Sequence, residues 1–174
     1  MSVSQINIDA PVEENNGYRP NVGIILCNKK CQVLWARRSS GDGWQFPQGG
    51  VESNETIVQA AFRELFEEVG LSRRYVRLVG HTKKWLHYDL PDKFVRIRNT
   101  RVIKGQKQVW FLFQLLGEDK DVSLVESEYP EFSSWQWVDY WKPLDEIILF
   151  KRQVYKMALL ELEPLLKDVG KFKY

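Results

Sequence analysis

The chain has 174 residues, 44% of them apolar, with seven Trp, nine Phe and a formal charge of only +2. That suffices for one packed core and is too little charge for a general polyelectrolyte binder. No apolar run approaches the roughly 20 residues of a membrane span. The first residues also lack the basic start and apolar block of a secretory signal, so a cytoplasmic protein with no membrane partner is expected.

Residues 1–16 are polar and read as a mobile N-terminal extension, leaving 17–174 as a single domain. Val22–Cys27 and Gln32–Ala36 read as strands joined by a turn at Asn28–Cys31, a hairpin. Cys27 ends an apolar run and reads as a small core residue, with Cys31 near the turn. Two thiols four apart, with His81 and His87 far off, make neither a zinc site nor a disulfide framework. Trp44-Gln45-Phe46-Pro47-Gln48-Gly49-Gly50 then leads into a helix over about Glu55 to Val69. Ser53 or Asn54 is the expected N-cap, and Gly70 the left-handed C-terminal cap.

That helix carries the densest chemistry. Val58, Ala61, Phe62, Leu65 and Val69 fall at core-facing spacing, while Glu64, Glu67 and Glu68 stand in i, i+3, i+4 relation on another face. Two carboxylates about 5.5 Å apart repel by roughly 3 kcal/mol at an effective dielectric near 20. Most Glu-rich helix faces are simply solvated. One that lines a cleft needs a cation, and Arg63, one turn before Glu67, can pair with it. The loop, the caps and the acidic face together make a metal-site candidate.

Further along, Val76–Gly80 and Lys84–Tyr88 read as strands, stopped by Pro91. Gln108–Leu116 is a strongly apolar, central strand. Ser134–Val138 alternates, with Trp135 and Trp137 on one side. Pro143–Phe150 reads as a short helix, and Arg152–Val169 as a longer amphipathic one divided or kinked at Pro164. The order fits an α/β fold, a mixed β-sheet sandwiched between α-helices. His81 and His87 read as strand residues.

Gly49, five residues, Glu55, seven residues, then Arg63-Glu64-Leu65-x-Glu67-Glu68-x-Gly70-Leu71 resembles a complete Nudix box. Gly17–Gly23, Trp44–Gly50, Gly105–Gln108 and Phe150–Arg152 resemble the bacterial RNA pyrophosphohydrolase and dinucleoside polyphosphate hydrolase branch of that family. The likeness spans about residues 17 to 160. It implies a Nudix fold and a pyrophosphohydrolase with Mg²⁺ as cofactor and Mn²⁺ as a substitute, in keeping with an all-oxygen donor set. The metal ligands it implies are Glu64, Glu67 and Glu68, with the distant Glu131 and the Gln48 carbonyl completing the set. Glu64, Glu68, Glu131 and Arg63 become the catalytic group, with Glu64 and Glu131 competing for general base and Arg63 orienting the glutamates.

For the substrate, Arg19, Arg38 and Lys151 are the candidate cations, and Phe150 and Tyr88 the candidate stacking rings. Core or rim packing would explain the two rings equally well. Trp44 and Phe46 read as loop anchors. Six Lys/Arg and no acid lie between Lys93 and Lys107, with Arg37-Arg38 and Lys83-Lys84 as further basic pairs. A strand edge kept basic against aggregation would look the same. Beside a phosphate-handling site, the segment reads as an approach path for the 5′ end of single-stranded RNA or a nucleoside polyphosphate. The expected activity is conversion of 5′-triphosphate or diphosphate RNA ends to monophosphate, initiating mRNA decay. Hydrolysis of dinucleoside polyphosphates is the alternative, and a non-catalytic binding module the third reading.

Overall fold

Two strands that run parallel through the middle of the sheet explain why this chain has its longest apolar stretches where it does. In the computed structural model, which describes residues 5–12, 17–41, 43–98 and 101–169, β1 (Tyr18–Cys27) pairs with a strand far downstream over ten residues. Between them in sequence come β2 (Val33–Arg38), β3 (Trp44–Gln45), β4 (Gln48–Gly50) and α1 (Ile57–Val69). After these follow β5 (Val76–His81), β6 (Leu86–Asp89), β7 (Arg96–Arg98) and β8 (Arg101–Ile103). The parallel partner of β1 is β9 (Gly105–Leu115), after which come β10 (Phe132–Val138), α2 (Pro143–Glu146) and α3 (Arg152–Leu162). The main sheet is ordered β10-β2-β1-β9-β5; β3, β4 and β6 pair with β2, β1 and β9, and β7 and β8 form a separate ribbon.

Both central strands are covered on both faces, so they read as continuous apolar runs rather than alternating ones. Val22, Ile24 and Leu26 of β1 meet Val109, Phe111 and Phe113 of β9 in a core closed by Ala61 and Leu65 of α1. On the opposite face, Ile25 and Cys27 join Trp110 and Leu112 beneath Val154, Tyr155 and Leu159 of α3. The result is the expected helix–sheet–helix sandwich.

Local choices differ from expectation in informative ways. The N-cap of α1 is Thr56, not Ser53 or Asn54: its side chain accepts from the Gln59 N–H, and the Gln59 amide oxygen accepts from the Thr56 N–H at 2.8 Å. This reciprocal capping box satisfies two helix-terminal donors, while residues 52–55 are held in a turn of their own. Gly70 takes the left-handed cap at φ 73°. α2 is a single turn, followed by a 3₁₀ turn at Leu149–Lys151, and after Leu162 the chain tightens into 3₁₀ geometry with Pro164 in its first turn. Cys27 and Cys31 are both free thiols, Cys27 fully buried.

Of residues 1–16, expected as a polar, mobile extension, residues 5–12 sit on the α1 side of the sheet. The Ile6 N–H donates to Lys83 O at 3.1 Å, the Val58 N–H donates to Ile8 O at 3.0 Å, and Ile6, Ile8 and Val12 pack on the core. Residues 1–4 and 13–16 lie outside the described residues. No helix among the described residues is long and apolar enough to cross a membrane.

Candidate active site

The acidic face of α1 turns toward the loop that precedes it. Arg63 sits among four groups: its guanidinium donates to Glu55 (2.6 and 3.0 Å), Glu64 (2.7 Å), Glu67 (3.1 Å) and the Gly50 carbonyl (2.9 Å). The fork geometry of an arginine suits this multiple engagement, and the surrounding acids hold its proton even more firmly than usual. The same partnership holds the Glu55 carboxyl below its ordinary range against the opposing effect of its partial burial. The pairing expected between Arg63 and Glu67 is therefore one of three.

The three box glutamates are not equivalent. Glu67 is half exposed, whereas Glu64 is 8% exposed and Glu68 is partly buried. Burial pushes the Glu64 carboxyl up despite its contact with Arg63. It pushes Glu68 up further, helped by the charges of Glu64, Glu131 and Glu67, while the Gln48 N–H donating at 2.9 Å works the other way. Room for Glu64 comes from Gly49: a Cβ there would lie 1.8 Å from the Glu64 carboxyl carbon.

The resemblance of the sequence to the Nudix box implies a divalent metal. The donor set here fits one. The buried Glu64 carboxylate, in a recess a glycine leaves open, and the Glu68 carboxylate, which the Glu64 charge pushes up, form a hard oxygen environment rich in negative charge. Among the described residues no three acidic, His or Cys groups are gathered on a common point. Arg63 draws Glu64 and Glu67 to itself, while Glu68 faces the Gln48 backbone.

Beyond Gln48 opens a cleft of about 820 Å³ that brings together every substrate residue expected from sequence: Arg19, Arg38, Tyr88, Phe150 and Lys151, with Glu131 on the same wall. Arg38 Nε stands 3.5 Å from Glu131 Oε1, both side chains two-fifths exposed. Lys151 is buried and donates weakly to Gln45 Oε1 (3.3 Å) and Gln48 Oε1 (3.4 Å). Burial, aided by the Arg38 charge, lowers its ammonium to about 8, against the pull of Glu131 and Glu68. Arg19 lies against the backbone of Gly50, where an added Cβ would meet its guanidinium nitrogen at 2.2 Å. Tyr88 is buried with its phenol raised by desolvation.

Phe46 is the loop anchor expected, wholly buried among Trp35, Trp110 and Tyr155, with its N–H donating to the Tyr155 hydroxyl at 3.1 Å. Trp44 packs on the same core and also lines the cleft.

The basic run is less uniform than its sequence. Lys107 is 9% exposed with its ammonium 5.1 Å over the Trp85 ring, because strand pairing on both sides of β9 encloses it, so it does not belong to an exposed approach path. Lys93 and Lys104 are exposed, while the side chains of Arg96, Arg98 and Arg101 lie outside the described residues. Sequence reasoning missed Gln106, a cleft residue whose amide oxygen is buried without a partner among the described residues. It also missed the amides of Asn21, Gln45 and Gln108 that knit the floor, such as Gln108 Nε2 donating to Asn21 Oδ1 at 2.7 Å. No local pattern marks such residues, since their partners lie on distant strands.

The NUDIX domain model matches residues 17–158. The chain belongs to the Nudix family. It is 54% identical over 157 residues to an RNA pyrophosphohydrolase of Alkalilimnicola ehrlichii, covering 90% of this chain and 87% of that one. It is 51% identical over 151 residues to one of Proteus mirabilis, covering 87% and 86%. Among solved structures, its Nudix fold is similar to a C. elegans Ap4A hydrolase with a TM-score of 0.64 at 20% identity, covering 86% of this chain and 98% of that one. It is also similar to the E. coli dihydroneopterin triphosphate pyrophosphohydrolase, with a TM-score of 0.63 at 20% identity and 82% and 97% coverage. At that identity the two structures speak to the fold alone.

Proposed function

We propose that this chain is an RNA 5′ pyrophosphohydrolase, converting 5′-triphosphate or diphosphate RNA ends to monophosphate and so initiating mRNA decay in the cytoplasm. The observation that carries the reading is the cleft itself, which adjoins α1 at Gln48, whose N–H donates to Glu68, and which three cations and the rings of Tyr88 and Phe150 line. A polyphosphate at the inner end and a nucleobase at the outer end match that order of chemistry. The relatives at 51–54% identity that are named RNA pyrophosphohydrolases favour RNA over dinucleoside polyphosphates, the second reading.

Glu64, Glu67 and Glu68 would hold Mg²⁺, or Mn²⁺ in its place, with Glu131 and the Gln48 carbonyl adjoining. The metal would supply charge neutralisation on the phosphates and a more acidic water. Arg63 orients Glu64 and Glu67 through its guanidinium and does not reach the cleft. Lys151 and Arg19 bind phosphate oxygens, and Arg38 and Phe150 hold a base between a guanidinium and a ring. Glu64 and Glu131 are the two candidates for general base. Glu64 is the more buried and has the raised carboxyl, whereas Glu131 stands in the cleft beside Arg38.

The test is a competition in Mg²⁺ between 5′-triphosphate RNA, 5′-diphosphate RNA and diadenosine tetraphosphate at equal concentration. Dominant formation of 5′-monophosphate RNA is expected; dominant cleavage of the dinucleotide would transfer the assignment to the second reading. A Glu68→Gln variant that still binds RNA but no longer hydrolyses it would set aside the non-catalytic reading.

A further inference from the structure

The cleft extends past the groups that a polyphosphate and one base require. Three rings follow one another along its wall: Tyr88 and Phe150 have centroids 5.9 Å apart, and Phe150 and Phe94 6.1 Å apart, with planes tilted by 42° and 41°. Two cations accompany them, Lys151 Nζ 5.8 Å from the Tyr88 centroid and Lys93 Nζ 5.0 Å from that of Phe94. At the mouth, Phe94 is 41% exposed and Ile97 76%, an unusual amount of apolar surface to leave in water at the edge of a binding cleft.

Phe94 is held at this place by its backbone. It closes the 3₁₀ turn Asp92–Phe94, with its N–H donating to Pro91 O at 2.7 Å, and the root of the ribbon is tied by the Leu90 N–H to Lys104 O at 2.8 Å. The spacing of the rings also decides how they can be used. A base inserted between two rings needs parallel planes and two stacking steps of about 3.4 Å each. Tilted rings about 6 Å apart exclude insertion. They form instead a stepped platform on which successive bases can lie side by side.

We propose that Phe94, flanked by Ile97, is a second base-stacking position that receives the nucleobase downstream of the one on Phe150. The inference rests on the RNA reading above and adds to it a longer footprint on single-stranded RNA. Every base has a π-face, so the contact selects for an unpaired nucleotide rather than for a sequence. Exposed Lys93, on the same turn, is suited to the phosphate that links the two nucleotides.

The experiment uses a five-nucleotide 5′-triphosphate RNA and versions with one abasic nucleotide at position one, two, three or four. The wild-type protein is compared with Phe94→Ala and Phe94→Trp, and rates of monophosphate formation are resolved into kcat and KM. Phe94→Ala should lose about tenfold in kcat/KM on intact RNA, chiefly through KM, and Phe94→Trp should recover it. One abasic position should cost the wild-type protein the same tenfold and cost Phe94→Ala nothing further, while the abasic position facing Phe150 should still slow both. The inference is overturned if Phe94→Ala responds to every abasic position as the wild type does. Wild-type protein that converts no RNA end overturns the RNA reading and this inference with it. Active wild type with an unaffected Phe94→Ala overturns this inference alone.

Discussion

Substituting Gly49 by Ala adds one methyl group at the point where β4 crosses α1, and the structure gives its consequence. The new Cβ would lie 1.8 Å from the Glu64 carboxyl carbon and 1.9 and 2.2 Å from its oxygens. Gly49 is not in the left-handed region, so the backbone itself tolerates Ala and the whole effect is steric. Either β4 lifts away or the Glu64 carboxylate swings out of its recess, by about 1 Å or more in both cases. Displacements of that size at a reacting centre cost about a hundredfold in rate, near 2.7 kcal/mol. Overpacking costs about 1–3 kcal/mol of stability, or several degrees of melting temperature in a chain of this size. The assay is kcat/KM on 5′-triphosphate RNA in Mg²⁺, with thermal melts alongside. Adding Glu64→Asp to Gly49→Ala shortens the clashing side chain, so the double variant should melt higher than Gly49→Ala alone. A Gly49→Ala protein with wild-type kcat/KM would refute the steric argument and the place of Glu64 in the site.

Glu68→Gln should remove hydrolysis yet stabilise the metal-free protein. The Glu68 carboxyl is raised in the folded state, so its favourable contribution is complete below the unfolded value of about 4.3 and is lost as pH climbs through the raised one. Metal-free melts at pH 5 and pH 8 should therefore differ less for the variant than for the wild type, and an unchanged difference would count against that burial. Thr56→Ala breaks the capping box and should cost about 1 kcal/mol in chemical denaturation with little change in kcat. Gln106→Met removes a buried acceptor that has no partner among the described residues; it should raise stability by about 1 kcal/mol and lower kcat/KM for RNA, whereas a stabilised variant of full activity would remove Gln106 from substrate contact. Lys151→Ala should weaken turnover of RNA ends by about tenfold or more, since charge-assisted contacts contribute about 1.5–3 kcal/mol, and unchanged kinetics would take Lys151 out of the phosphate site.

Much of this architecture is legible in the chain because local pattern and tertiary role agree. The apolar run at Val109–Phe113 is continuous because β9 lies between β1 and β5 with helices on both faces. The acidic face of α1 is visible from spacing alone, and its box identifies the family. The less legible features depend on contacts between distant segments. The Thr56–Gln59 capping box is written in the sequence, but the polar residues before it offer equally good caps until the turn at residues 52–55 removes them. Lys107 looks like one more charge in a basic run, and only its neighbours across the sheet and the Trp85 ring show it to be enclosed. The seating of Ile6 and Ile8 and the ring sequence from Tyr88 to Phe94 likewise join residues that no short window contains.

The parallel pairing at the centre of the sheet sets the order in which this protein can become active during synthesis. Tyr18 stands opposite Gly105, and Cys27 opposite Gln114, so β1 waits for most of the domain to be made before its partner exists. The carboxylates of α1 emerge from the ribosome well before the strand that fixes their sheet, and Lys151 later still. A nascent chain therefore carries its acidic helix for some time beside an open strand edge, exposed to wrong pairing and unable to cleave anything. Activity begins only when the distant half arrives, which keeps an enzyme that acts on RNA ends inert while it is still attached to the message that encodes it.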